Sequence, residues 1–74
     1  METTKAERFQ RLAEKRVSRA IRDLRLIANL SNKNNYEYTT DQVEKIVSAL
    51  RRELRGLHRR FQDGTNPSKV EFRL

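Results

Sequence analysis

Apolar residues recur at steps of three and four along two stretches of this chain. In the first stretch they are Phe9, Leu12, Ala13, Val17, Ala20, Ile21, Leu24, Ile27 and Ala28. In the second they are Val43, Ile46, Val47, Leu50, Leu54, Leu57 and Phe61. This spacing places each set on one face of an α-helix. The pattern predicts an all-α fold with two amphipathic helices, over about 4–29 and about 40–62.

Capping signals predict where the two helices begin and end. Thr4 with Glu7, and Thr39 with Gln42, match the capping box, in which paired side chains satisfy backbone N–H groups of the first helical turn. Gly64 is a C-terminal stop signal for the second helix.

Single residues in and beside the second helix also have a structural interpretation. Tyr38 and Val43 occupy the two positions of a hydrophobic staple. Gly56 lies inside the helix, where it either permits close backbone approach or is tolerated at a cost of up to about 1 kcal/mol.

The predicted loop, over about 30–38, is rich in asparagine. Asparagine tolerates the left-handed backbone conformation better than most residues. We therefore expect Asn29 or Asn32 to end the first helix, and Asn34 and Asn35 to turn the chain.

A loop of this length favours an antiparallel hairpin, giving a helical domain over residues 1–64. A chain of 74 residues buries only about 60% of the surface that its unfolded form exposes, and this one has no cysteine for a disulfide. The apolar faces are wider than a coiled-coil stripe, so a single hairpin would leave one apolar surface exposed to solvent. We expect a homodimer that forms a four-helix bundle; a heteromeric partner is the alternative.

Residues 65–74 form a separate tail. Within it Val70, Phe72 and Leu74 alternate with charged residues, which is a strand-like pattern. The tail is either a frayed terminus packed loosely on the bundle, or an extended arm that docks on a partner.

Positive charge narrows the candidate partners. Seventeen Lys and Arg against ten Asp and Glu give a formal net charge of +7, which favours nucleic acid, an anionic membrane or an acidic protein surface. One band of the first helix, opposite its apolar face, carries Arg8, Arg11, Lys15, Arg19 and Arg22. The outer face of the second helix carries Arg52, Arg55 and Arg59.

This charge has a structural alternative, since basic residues late in a helix complement its dipole and keep a bundle soluble. Arg8 and Arg11 lie in first turns, where they oppose the dipole. Arginine also suits phosphate recognition better than lysine does. We therefore interpret the two basic faces as a polyanion-binding surface.

The loop residues Lys33, Asn34 and Tyr36 are a possible secondary contact. They serve either as a structured connector, as a surface for unpaired bases, or as part of a protein interface.

Catalytic chemistry is not indicated. His58 is the single histidine, no glycine-rich phosphate loop occurs, and no carboxylate cluster has metal-ligand spacing. We expect no enzyme activity, no cofactor and no metal. The sequence shows no secretion signal and no membrane span, so we expect a cytoplasmic protein and disfavour membrane binding.

The hairpin plan and the segment RRFQDG, residues 59–64, resemble the ROP-type plasmid regulators, which are dimers of helical hairpins that bind paired RNA loops. The resemblance implies an RNA-binding regulatory role and assigns no site residue. Our leading hypothesis is a basic nucleic-acid-binding regulatory protein, with RNA slightly favoured over DNA. The alternative is an adaptor or inhibitor that binds an acidic surface of a larger protein, such as a nucleic-acid enzyme.

Overall fold

The structure, a computed structural model, describes residues 4–64. Helix α1 spans Lys5–Ala28, a short 3-10 turn spans Asn29–Ser31, and helix α2 spans Thr40–Asp63. No strand occurs in this part of the chain. The prediction of an all-α protein with two helices is confirmed for these residues, and each helix end lies within one residue of its expected position. The strand-like tail, 65–74, lies outside the described residues.

Both helices begin at the predicted threonines. The backbone N–H of Glu7 donates to Thr4 Oγ1 at 3.0 Å, and the Thr4 hydroxyl donates to Glu7 Oε1 at 3.1 Å. At α2 the capping box is complete, with Gln42 N donating to Thr39 Oγ1 at 3.1 Å and Thr39 N donating to Gln42 Oε1 at 2.8 Å. These bonds satisfy N–H groups that have no partner inside a helix.

Gly64 ends α2 as the sequence predicts. Its backbone is left-handed, with φ 60° and ψ 27°, and its N–H donates to the carbonyl of Arg60 at 2.9 Å. Glycine adopts this conformation without the steric cost that a Cβ adds.

Asn29 ends α1 as predicted, but its backbone is not left-handed. Asn29 is in the right-handed region, with φ −64°, and within residues 4–64 Gly64 alone has a positive φ. The expectation of left-handed asparagines is therefore wrong. Instead α1 tightens into the 3-10 turn, whose shorter bonds satisfy the last carbonyls, so no left-handed residue is needed.

The chain divides into two units, Met1–Glu37 and Tyr38–Leu74, which are described separately. None of the described residues is buried, and only Leu12, Ala13 and Tyr38 are half-buried. The apolar face of each helix lies at its surface; Leu54, for example, is 63% exposed. Residues 4–64 therefore form no buried hydrophobic core in either unit.

The two structural interpretations beside the second helix have different outcomes. A Cβ built on Gly56 would meet nothing within 4 Å, which favours simple tolerance over close backbone approach. Tyr38 is half-buried directly before α2, and its packing on Val43 remains a prediction.

Candidate polyanion-binding surface

Helix α1 arranges five basic residues on one side. At about 100° per residue they fall within a band about 80° wide. All five are exposed, and no acidic residue lies among them. Glu7 and Glu14 border one edge of the band, and Asp23 borders the other. We call this set the α1 basic band: Arg8, Arg11, Lys15, Arg19 and Arg22.

The length of the α1 basic band follows from the continuity of the helix. No proline or glycine interrupts Lys5–Ala28, so every residue advances the helix by the same rise. From Arg8 to Arg22 the band extends about 21 Å. Arg8 and Arg11 also interact with other groups of the protein. A straight row of cations of this length is suited to a polymer of regularly spaced negative charges.

Helix α2 carries a second, shorter group of arginines. Arg52, Arg55 and Arg59 lie within about 60° of one another on the side opposite the α2 apolar face, and all three are exposed. Asp41 lies in the first turn, so negative charge comes early in this helix and positive charge late.

The predicted loop contact is built around one residue, Asn32. Its carbonyl accepts hydrogen bonds from the backbone N–H of Asn35 at 3.1 Å and of Tyr36 at 3.0 Å. Its side-chain Oδ1 accepts from the backbone N–H of Asn34 at 2.9 Å. The loop thus turns through an asparagine side chain rather than through left-handed backbone. Lys33, Asn34 and Tyr36 are all exposed on it.

Two exposed leucines near the end of α1 were missed in the sequence analysis. Leu26 falls inside the angular range of the α1 basic band and is 58% exposed, and Leu30, in the 3-10 turn, is 47% exposed. The signal was available, because Leu26 is four residues after Arg22 on the same side of the helix. Leu26 does not belong to the apolar set on the opposite face, so the periodicity of that set does not identify it.

The predicted docking residues Val70, Phe72 and Leu74 lie outside the described part of the chain. Among residues 4–64, no group of three or more His, Cys, Asp or Glu side chains could hold a metal ion. His58 is exposed on α2. No described helix is long and apolar enough to cross a membrane.

Comparison with protein-family models, with curated proteins and with solved structures gives no match for this chain. The resemblance to ROP-type regulators therefore supports no site assignment. The function of the basic surface is inferred from its own residues.

Proposed function

We propose that this protein is a small, non-enzymatic regulatory protein that binds nucleic acid through the α1 basic band. The observation that carries this proposal is five exposed cations in one row with no acid among them. Four of the five are arginines, whose planar guanidinium can donate two parallel hydrogen bonds to a phosphate. Solubility alone would be served as well by mixed charge on this face.

RNA is slightly favoured over duplex DNA as the ligand. A helix-turn-helix that reads DNA joins its helices by a turn of about three or four residues. Here the segment from Asn29 to Thr39 separates α1 from α2. A ribbon-helix-helix needs a strand before its helices, and residues 4–64 contain none.

The test is binding of the purified protein to RNA across a salt series, followed by fluorescence anisotropy. Five phosphate contacts predict a fall of log K with log salt of slope about −3.5 to −4.5. The double variant Arg11→Glu with Lys15→Glu should abolish binding while the helical circular dichroism signal remains.

A matched control changes the same amount of charge outside the band. Lys5→Glu with Arg25→Glu alters the net charge equally, but both residues lie beyond the edges of the α1 basic band. We expect this control to weaken binding only modestly. Equal losses in both double variants would show that net charge, rather than the row of arginines, controls binding.

We further propose that α1 and α2 form an antiparallel hairpin and that two hairpins form a four-helix bundle. The chain has an accessible surface of 7630 Å². A folded monomer of its mass, 8.8 kDa, would expose about 4,800 Å². Hairpin closure would have to cover most of the difference of about 2,800 Å² within one chain, and dimerisation would cover further apolar surface.

Complementary side-chain sizes support antiparallel pairing. Helix α1 has alanine at three positions seven residues apart, and α2 has larger residues at three positions seven apart. An antiparallel register that pairs residues whose numbers sum to 67 places each alanine opposite a larger residue. Facing layers of a core fill the space between two helices when small side chains lie opposite large ones. The pairs are Ala6 with Phe61, Ala13 with Leu54, and Ala20 with Val47.

Charge supports the same register. Positions flanking the apolar seam of an antiparallel pair lie beside their counterparts on the other helix. In this register Glu14 would lie beside Arg51, and Arg16 beside Glu53, so both neighbours have opposite charge. No like-charged pair is created at these positions.

A second candidate function is an adaptor or inhibitor that binds an acidic surface of a larger protein. The observation that favours it is exposed Tyr36, because tyrosine is enriched at protein interfaces. Binding by this route should depend on Tyr36, Phe72 and Leu74. The arginines of α1 should matter less. No binding of the wild-type protein to nucleic acid, even at low salt, would favour this candidate.

A further inference from the structure

We propose that the loop after α1 binds unpaired bases, so that the preferred ligand is a paired stem next to a single-stranded loop. This inference rests on the proposed function, because it uses the α1 basic band as the phosphate contact. It adds a second contact and the class of nucleic acid that would fill both. We call this contact the loop site: Leu26, Leu30, Asn34 and Tyr36, with Asn32 as the residue that positions Asn34 and Tyr36.

The backbone of the loop site is fixed by hydrogen bonds. Asn32 accepts three, from the N–H groups of Asn34, Asn35 and Tyr36, and its own N–H donates to the carbonyl of Asn29 at 3.4 Å. The turn is therefore ordered before any ligand binds. An ordered turn presents Tyr36 at a lower entropic cost than a flexible one.

The surface chemistry changes along unit Met1–Glu37. The α1 basic band ends at Arg22, and the next residue in that row is exposed Leu26. Leu30 is exposed beyond it, and the ring of Tyr36 is 49% exposed in the loop. Leucine side chains and the aromatic ring of tyrosine do not attract a phosphate as a guanidinium group does. They do gain from the apolar face of a base, and the Asn34 amide can both donate to and accept from a base edge.

Only unpaired bases offer these groups together. In a duplex each base is stacked on both sides, so an aromatic ring cannot reach its face. Bases in loops and bulges are unstacked, and proteins bind them by aromatic stacking and by hydrogen bonds to their edges. A ligand that matches the whole unit therefore has paired phosphates along α1 and unpaired nucleotides near Asn29–Ser31.

The experiment compares three RNAs with the same number of phosphates: a short hairpin, a blunt duplex and an unstructured single strand. We expect the protein to bind the hairpin about tenfold more tightly than the duplex, because one base stacked on an aromatic ring contributes about that factor. A fluorescent adenine analogue in the hairpin loop should change its emission on binding, and should not do so in the stem.

Variants of the loop test two contributions separately: the aromatic ring of Tyr36 and the turn that Asn32 holds in place. Tyr36→Ala should remove the hairpin preference and leave duplex affinity unchanged, whereas Tyr36→Phe should keep the preference. Asn32→Ala should reduce the preference although the ring remains, because the turn loses the acceptor for Asn34. Asn35→Ala is the matched control, since that residue uses only its backbone N–H in the turn.

The outcomes distinguish this inference from the function on which it rests. Equal affinity of the wild-type protein for hairpin and duplex would overturn the loop site and leave nucleic-acid binding intact. Equal losses for both RNAs in Tyr36→Ala would do the same. Failure to bind any of the three RNAs at low salt would overturn both proposals.

Discussion

At the scale of single residues, backbone angle decides what a glycine contributes. Gly64 has a positive φ, and a Cβ there would be strained although no neighbour is close. Gly56 has ordinary helical geometry, lies away from the apolar face of α2, and likewise has open space around it. The same substitution should therefore have opposite effects at the two positions.

We predict that Gly56→Ala stabilises the protein by up to about 1 kcal/mol, because alanine loses less backbone entropy in a helix. Gly64→Ala should destabilise it by about 1 kcal/mol, because the left-handed conformation penalises a Cβ. Urea unfolding of both variants at one protein concentration measures the two signs. A destabilising Gly56→Ala would indicate that another element packs closely against this face.

A feature at the residue scale could be predicted from the sequence where two nearby residues are enough to form it. Thr39 and Gln42 close a capping box with no help from the rest of the chain, and they were identified correctly. The positions of Asn29 at the end of α1 and of Asn34 and Asn35 in the turn were also predicted correctly. Their left-handed backbone was not found, because a tolerance for that conformation is not a requirement for it. Asn32 instead uses its side chain as a hydrogen-bond acceptor. Whether it does so depends on competition between its side chain and other acceptors for the neighbouring backbone N–H groups.

At the scale of the helices, hydrophobic periodicity predicts that a helix exists, how long it is and which of its faces is apolar. It does not predict what packs against that face. Both helices are as long as their patterns imply. In proteins the stability of a helix comes mostly from packing its apolar face. The pairing of α1 with α2 depends on contacts distant in sequence, which no local pattern specifies.

The two sides of α1 should respond differently to the same substitution. Leu24 lies on the α1 apolar face and Leu26 within the range of the α1 basic band. We predict that Leu24→Glu abolishes the folded assembly, because a carboxylate would be buried without a partner. Leu26→Glu should keep the helical circular dichroism signal and weaken RNA binding. Thermal melting unchanged in Leu24→Glu would mean that this face is not the packed one.

The proposed register is tested by exchanging two charges. Glu14→Arg should lower the melting temperature by about 2–5 °C, because it would place like charges beside Arg51. Glu14→Arg combined with Arg51→Glu should recover most of the loss. If the double variant only adds the two single losses, the residues are not neighbours and another register applies.

At the scale of the whole molecule, the candidate site is less determined by sequence than the fold is. The α1 basic band follows from rotation along one helix, so its five residues could be predicted together. Joining the band and the α2 arginines into one surface would require a particular tertiary arrangement of the two helices. The α2 arginines are Arg52, Arg55 and Arg59. Sequence also cannot rank RNA against an acidic protein, because both present carboxylate or phosphate oxygens to the same guanidinium groups.

We predict that the melting temperature rises with protein concentration and that sedimentation gives about twice the chain mass of 8.8 kDa. Association couples to folding when the folded form is completed by a second copy. Leu50→Glu should remove the concentration dependence together with the helical signal, since Leu50 belongs to the α2 apolar face. A monomer whose melting temperature is independent of concentration would contradict the four-helix bundle.

The exposure of nearly every residue from 4 to 64 has a consequence for how the protein would act in a cell. If a second copy completes the fold, the folded fraction depends on abundance by mass action. Below the dissociation constant most chains would be exposed to proteases and the active dimer would increase roughly with the square of synthesis, whereas above it the increase becomes linear. Gene dosage would then set a threshold, and a regulator built this way would report its own copy number.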